Sequence, residues 1–102
     1  MRQRAAVAAV FVRHIALYAL AELVRAVRGT PSQRLERHAG RLHARLHDAL
    51  HPCYQARDYA FTDRVEDLAA GAARAVIRVA DACAAARGVL LATRRPRRGG
   101  GA

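Results

Sequence analysis

Apolar and polar positions along the chain fall into three long blocks with a helical period, separated by two short interruptions. Arg4 to Arg28 contains neither Pro nor Gly and is rich in strong helix formers. The pattern predicts a first helix over 4–28, closed by Gly29 at the residue after its C-terminus. Its apolar residues are not confined to one stripe. Val12, Ile15, Leu20, Leu23 and Val27 form one side, and Val10, Leu17 and Val24 form another, with Phe11 and Tyr18 nearby. A helix apolar nearly all round must be covered on more than one face. Either it is central and wrapped by the other helices, or its surplus surface serves self-association or docking into an assembly.

The stretch "TPSQ" carries a helix-start signature, with Thr30 as N-cap, Pro31 at N1 and Gln33 at N3 of a capping box. The second helix is expected over 31–51, stopped by Pro52 and weakened inside by Gly40. "PCYQARDYAF" reads as a connector over 52–61, with room for a short extra helix and with Tyr54, Tyr59 and Phe61 tucked against the bundle. Thr62 or Asp63 then caps a third helix over 63–93, Asp63 pairing with Glu66. Within it Val65, Ala69, Ala72, Val76, Val79, Cys83, Ala86 and Leu90 recur in alternating steps of four and three. That is a seam of the coiled-coil type made from small residues. From Arg94 onward "RRPRRGGGA" cannot continue a helix, and 94–102 is expected to be a disordered basic tail. The fold class is therefore all-α, with one domain over 1–93, an antiparallel bundle of three main helices.

Composition adds a constraint on stability and a clue to partners. The 102 residues are 53% hydrophobic but only 5% aromatic. An Ala-rich core buries little area per residue, so a binding partner would add to a modest intrinsic stability. The net charge is +10, and all 18 basic residues are Arg. A GC-rich coding bias replaces Lys by Arg, but it does not set 18 bases against 8 acids. An excess of that size points to an anionic partner such as nucleic acid, anionic lipid or an acidic protein.

On a wheel of about 100° per residue, Leu35, Ala39, Leu42, Leu46 and Ala49 gather on one arc of the second helix, with Leu50 at its margin. Arg34, Arg37, Arg41 and Arg45, with His38, gather on a second arc. His43, His47 and His51 form a third, beside Glu36. Like charges at i, i+4 destabilise a helix, and only Asp48 lies close enough to offset them. One charge per turn, about 5–6 Å apart, matches successive phosphates of a nucleic-acid strand, and Arg binds phosphate bidentately. The plainer reading is a solvated basic face in an Arg-biased chain. On the third helix Arg74 and Arg78 have Asp67 and Asp81 nearby, so they rank as self-neutralised, secondary contacts. Arg94, Arg95, Arg97 and Arg98 are unopposed and add nonspecific attraction. No Asn or Gln is placed to read bases. Tyr54 and Tyr59 are either stacking platforms or buried connector residues.

Other chemistry is less well supplied. His43 and His47 have metal-ligand spacing, but no carboxylate-rich partner segment accompanies them, and Cys83 would have to arrive from another helix. A solvated His stripe that adds to the basic field accounts for them, so no metal or other cofactor is expected. Cys53 beside His47 or His51 lacks an orienting third group, and the one Ser, Ser32, belongs to a helix start. Arg-to-His spacings such as Arg37 to His43 and Arg41 to His47 match a helical ribonuclease pattern, but they arise by chance in so Arg- and His-rich a segment. No enzyme activity is expected. Cys53 and Cys83 are expected as free thiols in a cytoplasmic protein. The apolar N-terminal run is broken by Arg13, His14 and Glu22, so neither a signal peptide nor a membrane span is expected.

In size, helical character and basic faces the whole chain resembles the small helical subunits of multisubunit CRISPR effector complexes. Those pack along a ribonucleoprotein filament and touch the nucleic-acid backbone. "HPCYQARDYAFTDRVEDL", His51 to Leu68, resembles the helix–Pro–connector–helix passage of the four-helix-bundle proteins that accompany diversity-generating retroelement reverse transcriptases. The fourth helix of that family has no counterpart here. Both resemblances imply a non-enzymatic, basic, oligomeric partner of RNA or DNA. The expected function is a non-catalytic, largely sequence-independent binder of RNA or single-stranded DNA within an assembly of protein subunits, self-associating through the first helix. The alternatives are a module that binds an acidic protein and a basic membrane-surface protein.

Overall fold

The computed structural model describes residues 2–94. These form three α-helices and no strand: α1 (Arg2–Arg28), α2 (Gln33–Gln55) and α3 (Tyr59–Arg94). Arg95, Arg97 and Arg98 of the expected basic tail lie outside the described residues. Arg94 belongs to α3, one residue beyond the expected end of that helix.

α1 ends where its sequence marks it. Gly29 takes φ 80°, and its N–H donates to the Arg25 carbonyl at 2.8 Å. A Cβ at Gly29 would stand 2.7 Å from the Arg87 guanidinium, which lies over this helix end. A cation there is favourable against the C-terminal end of the helix dipole.

The other boundaries shift. Ser32, not Thr30, is the N-cap of α2; its Oγ accepts a long 3.4 Å bond from the Leu35 N–H. The box from Thr30 to Gln33 does not form. Capping by Ser32 leaves Pro31, which has no N–H to bond, outside the helix and puts Glu36 in the first turn. Pro52 does not stop α2 but sits in its last turn. The loss is confined to one turn, and that turn is fixed by Cys53, which is fully buried beside the proline.

The expected connector over 52–61, with its extra helix, is thus only Ala56–Asp58, and α3 starts at Tyr59 rather than at 63. The Asp58 N–H donates to the Cys53 carbonyl and the Arg57 N–H to the Tyr54 carbonyl, which is the Schellman pattern. Arg57 takes the left-handed position at φ 56° that glycine ordinarily fills. Thr62 and Asp63 lie inside α3, where Thr62 is fully buried and its Oγ1 donates to the Tyr59 carbonyl. Tyr54 and Tyr59 are exposed rather than tucked in, and Phe61 is half-buried.

α1 and α3 run parallel, with α2 antiparallel between their ends. Arg4 at the start of α1 meets Asp58 and Phe61 at the start of α3, and Gly29 after α1 meets Arg87. α1 packs along both other helices, which meet each other over a much shorter length. It is therefore the central helix, yet Val12, Leu20 and Val27 stay exposed. By length and composition alone α1 would be apolar enough to cross a membrane; in this fold its Arg4 and Arg25 are tied to acids outside α1.

The core lies where α1 begins, α2 ends and α3 begins. It comprises Val7, Leu46, Leu50, Cys53 and Val65, with Val10, Phe11, Ala49 and Phe61 packed against it. Each such buried aliphatic contributes roughly 1.5–3 kcal/mol. Arg4 fastens the same end. Its Nε and Nη2 donate to the two Asp58 carboxylate oxygens at 2.8 Å each, and its guanidinium lies 5.1 Å from the Phe61 ring centre. Nothing in the sequence pairs residues 54 positions apart in this way.

The α3 seam behaves differently from its pattern. Val65 is buried and Ala69, Ala72, Val76 and Cys83 are half-buried, but Val79, Ala86 and Leu90 are exposed, while Ala80 is buried and Arg87 half-buried. A straight α-helix drifts about 20° per heptad against a 3.5-residue repeat. The contact with α1 follows the helix, so it leaves the seam after Val76.

Two substitutions should stabilise this fold. A Cβ at Gly40, inside α2, meets nothing within 4 Å. Gly40→Ala should raise stability by about 1 kcal/mol, and Arg57→Gly by about 0.5–1 kcal/mol, both read as urea midpoints. The Arg4 guanidinium, chiefly by its hydrogen bonds, holds the Asp58 carboxyl below its ordinary value. A depressed carboxylate pKa contributes stability above the unfolded value of about 3.9 and loses it as pH falls through the folded value. Arg4→Ala should therefore lower the melting temperature at neutral pH, and the difference should shrink steadily below about pH 4.

Candidate nucleic-acid interface

The position of the basic row follows from the core. Leu46, Leu50 and Cys53 of α2 are buried, and Leu35, Ala39, Leu42 and Ala49 are half-buried along the same arc. With that arc held against the bundle, the opposite edge must face solvent. Arg34, Arg37, His38, Arg41 and Arg45 are all exposed. At about 1.5 Å per residue, Arg34 to Arg45 spans about 17 Å.

Ion pairing separates the arginines into two groups. Among the described residues two salt bridges form, Arg4 with Asp58 and Arg25 with Glu36. Both tie α1 to another part of the bundle. The Glu36 carboxylate raises the Arg25 pKa above its ordinary value, mainly through their hydrogen bond. Glu36 is thereby drawn toward α1. Asp48, the acid placed to offset the row, makes no ion pair among the described residues. Among the described residues, Arg34, Arg37, Arg41 and Arg45 have no carboxylate partner.

Arg74 and Arg78 are exposed on α3, and neither pairs with Asp67 or Asp81, so the expected neutralisation by direct contact does not form. Exposed Arg side chains gain little from a lone surface ion pair and remain hydrated. Arg94 ends α3 and is exposed. These three lie on α3, a different helix from the basic row of α2.

Tyr54, considered as a stacking platform, instead donates its hydroxyl to Glu66 of α3, which raises the phenol pKa. Its companion Tyr59 is exposed. The His arc divides as well. All three are exposed, but His43 also meets His14 of α1, with ring centres 5.3 Å apart. His14 lies in an apolar run, and nothing local in the sequence signals an imidazole partner for it on another helix. Its Nδ1 is buried without a hydrogen-bond partner. Burial first, and His43 second, push the His14 pKa below the ordinary value. Cys53 is fully buried, apart from the exposed His47 and His51. Among the described residues no three His, Cys, Asp or Glu side chains group closely enough to hold a metal ion.

A scan against protein-family models found no match, and comparisons with curated proteins and with solved structures found none either.

The His14 environment sets a pH dependence of folding. Because the folded-state pKa is depressed, the unfolded chain takes up the proton first as pH falls. Stability should hold above the ordinary value of about 6.5, fall as pH drops through it, and level off below the folded value. His14→Leu, measured by urea denaturation at several pH values between about 8 and 5, should remove that part of the fall.

Proposed function

We propose that the protein is a non-catalytic, largely sequence-independent binder of nucleic-acid backbone, acting on RNA or single-stranded DNA as a small subunit of a ribonucleoprotein assembly. One observation carries this reading. The paired acids Asp58 and Glu36 are taken by arginines that hold the bundle together, and the α2 row is left exposed and unpaired. A row of like charges at i, i+4 costs its helix stability unless an external anion lies along it. Phosphates meet that need, because each guanidinium can donate two parallel bonds to phosphate oxygens. The row fixes position along a strand and carries no base-reading chemistry.

Arg34, Arg37, Arg41 and Arg45 form the primary contact, with His38 beside them. Arg74, Arg78 and Arg94 add a wider positive field. Arg95, Arg97 and Arg98 extend it by sequence. The small helical subunits of CRISPR effector complexes illustrate the class of assembly meant, and a cytoplasmic location accords with it.

The test is Arg37→Ala/Arg41→Ala/Arg45→Ala, measured by fluorescence anisotropy with an unstructured RNA and its DNA counterpart. Binding at about 0.1 M salt should weaken by at least about tenfold. Helix content should be unchanged and thermal stability equal or higher. Unchanged affinity at moderate salt would place the nucleic-acid contact elsewhere or dismiss it. Wild-type protein that binds an acidic protein but no RNA would favour the interaction-module alternative.

A further inference from the structure

We propose that the C-terminal half of α3 is the surface on which a second copy of this chain docks. The inference is independent of nucleic-acid binding and moves self-association away from α1, where the sequence pattern put it.

The seam of α3 supplies the first reason. A repeat in steps of four and three over Val65 to Leu90 suits a straight partner helix supercoiling alongside. Within the chain its first half is packed, and in its second half Cys83 alone is partly covered. After Val76 the contact with α1 drifts to Ala80 and Arg87, and Val79 and Leu90 are left 53% and 57% exposed. Beside Leu90 runs a groove of about 420 Å³, bordered by Val27, Cys83, Ala86, Leu90 and Leu91, with Arg87 and Arg94 at its edge. A smaller one of about 210 Å³ continues the strip past Val79 toward Leu23. Val89 and Leu91 are exposed beside it.

Charge identifies the occupant. From Ala82 to Thr93 the one charged residue is Arg87, and its guanidinium lies over Gly29 at the end of α1. A chain of net charge +10 repels its own copies almost anywhere they meet. At 82–93 two copies approach with almost no like charge between them. An acidic partner helix would find here only Arg87, held over the end of α1, and Arg94 at the last residue of α3, whereas a second α3 presents the same apolar surface over 82–93. A two-fold interface requires such a self-complementary patch. It would also cover the turns of α3 that extend beyond Arg87, where this chain offers little packing and an unsupported helix end frays.

The test is native mass by sedimentation equilibrium on nuclease-treated, full-length protein in about 1 M salt, at up to about 100 μM, a hundredfold above a micromolar Kd. Wild type should be dimeric, because apolar association survives salt that abolishes phosphate bridging. Leu90→Glu, and separately Val79→Glu, should give monomers with unchanged helix content. Both positions are exposed, so neither change disturbs the core. Val12→Glu, on the free side of α1, should leave the dimer intact. A monomeric wild type, a dimer that persists in both α3 variants, or one lost only with Val12→Glu would overturn the proposal.

Discussion

The packing of Leu46, Leu50 and Cys53 of α2 against Val7 and Val65 is the constraint on which the rest of this structure depends. Among the described residues it is the one place where all three helices share buried side chains. It fixes the rotation of α2 about its own axis, and through the helical period it sends Arg34, Arg37, Arg41 and Arg45 outward. It also holds Pro52 inside a helix that proline would otherwise end, and Arg4 locks the same end through Asp58. Toward the other end, Ala21 and Ala80 are the buried apolar residues between α1 and α3. Two alanines bury too little to close a bundle. The molecule is thus well packed at one end and apolar but open at the other.

Electrostatics divide along the same lines. With eight acids against 18 arginines, most arginines have no intramolecular partner. The described ion pairs fall at α1's contacts with the α2–α3 junction and with the start of α2, where they hold the helices in register. Four of the unpaired arginines line the free edge of α2, and from Ala82 to Thr93 α3 carries one charged residue, Arg87. The proposed anion contact along α2 and the proposed contact with a second copy along α3 would then lie on different helices. A basic protein built this way would present its charge to a strand while meeting neighbours through uncharged helix.

Much of this was legible in the residues. The Gly29 stop and the Leu arc of α2 placed the first turn and the basic row correctly, because both rest on strong local rules. Other features depended on tertiary contacts that no local pattern records. Pro52 reads as a stop, but burial of Cys53 outweighs it. Arg57 occupies a left-handed position with no glycine to announce it. The α3 seam reads as one continuous contact, whereas the drift between 3.5 and 3.6 residues per turn splits it into a packed half and a mostly open one. Arg4 with Asp58, and His14 with His43, join residues whose proximity exists only once α1 lies between its neighbours.

The central claim is that the α2 arginines sit on phosphates, and the most direct measurement is the salt dependence of RNA binding. For a single strand, log K should fall linearly with log salt concentration with a slope of about −0.7 per phosphate contact. The account predicts a wild-type slope of at least about −2.8 in magnitude for four arginines, reduced by about 0.7 each time Arg37, Arg41 or Arg45 alone becomes Ala. A slope near zero, or one that the three substitutions leave unchanged, would contradict it.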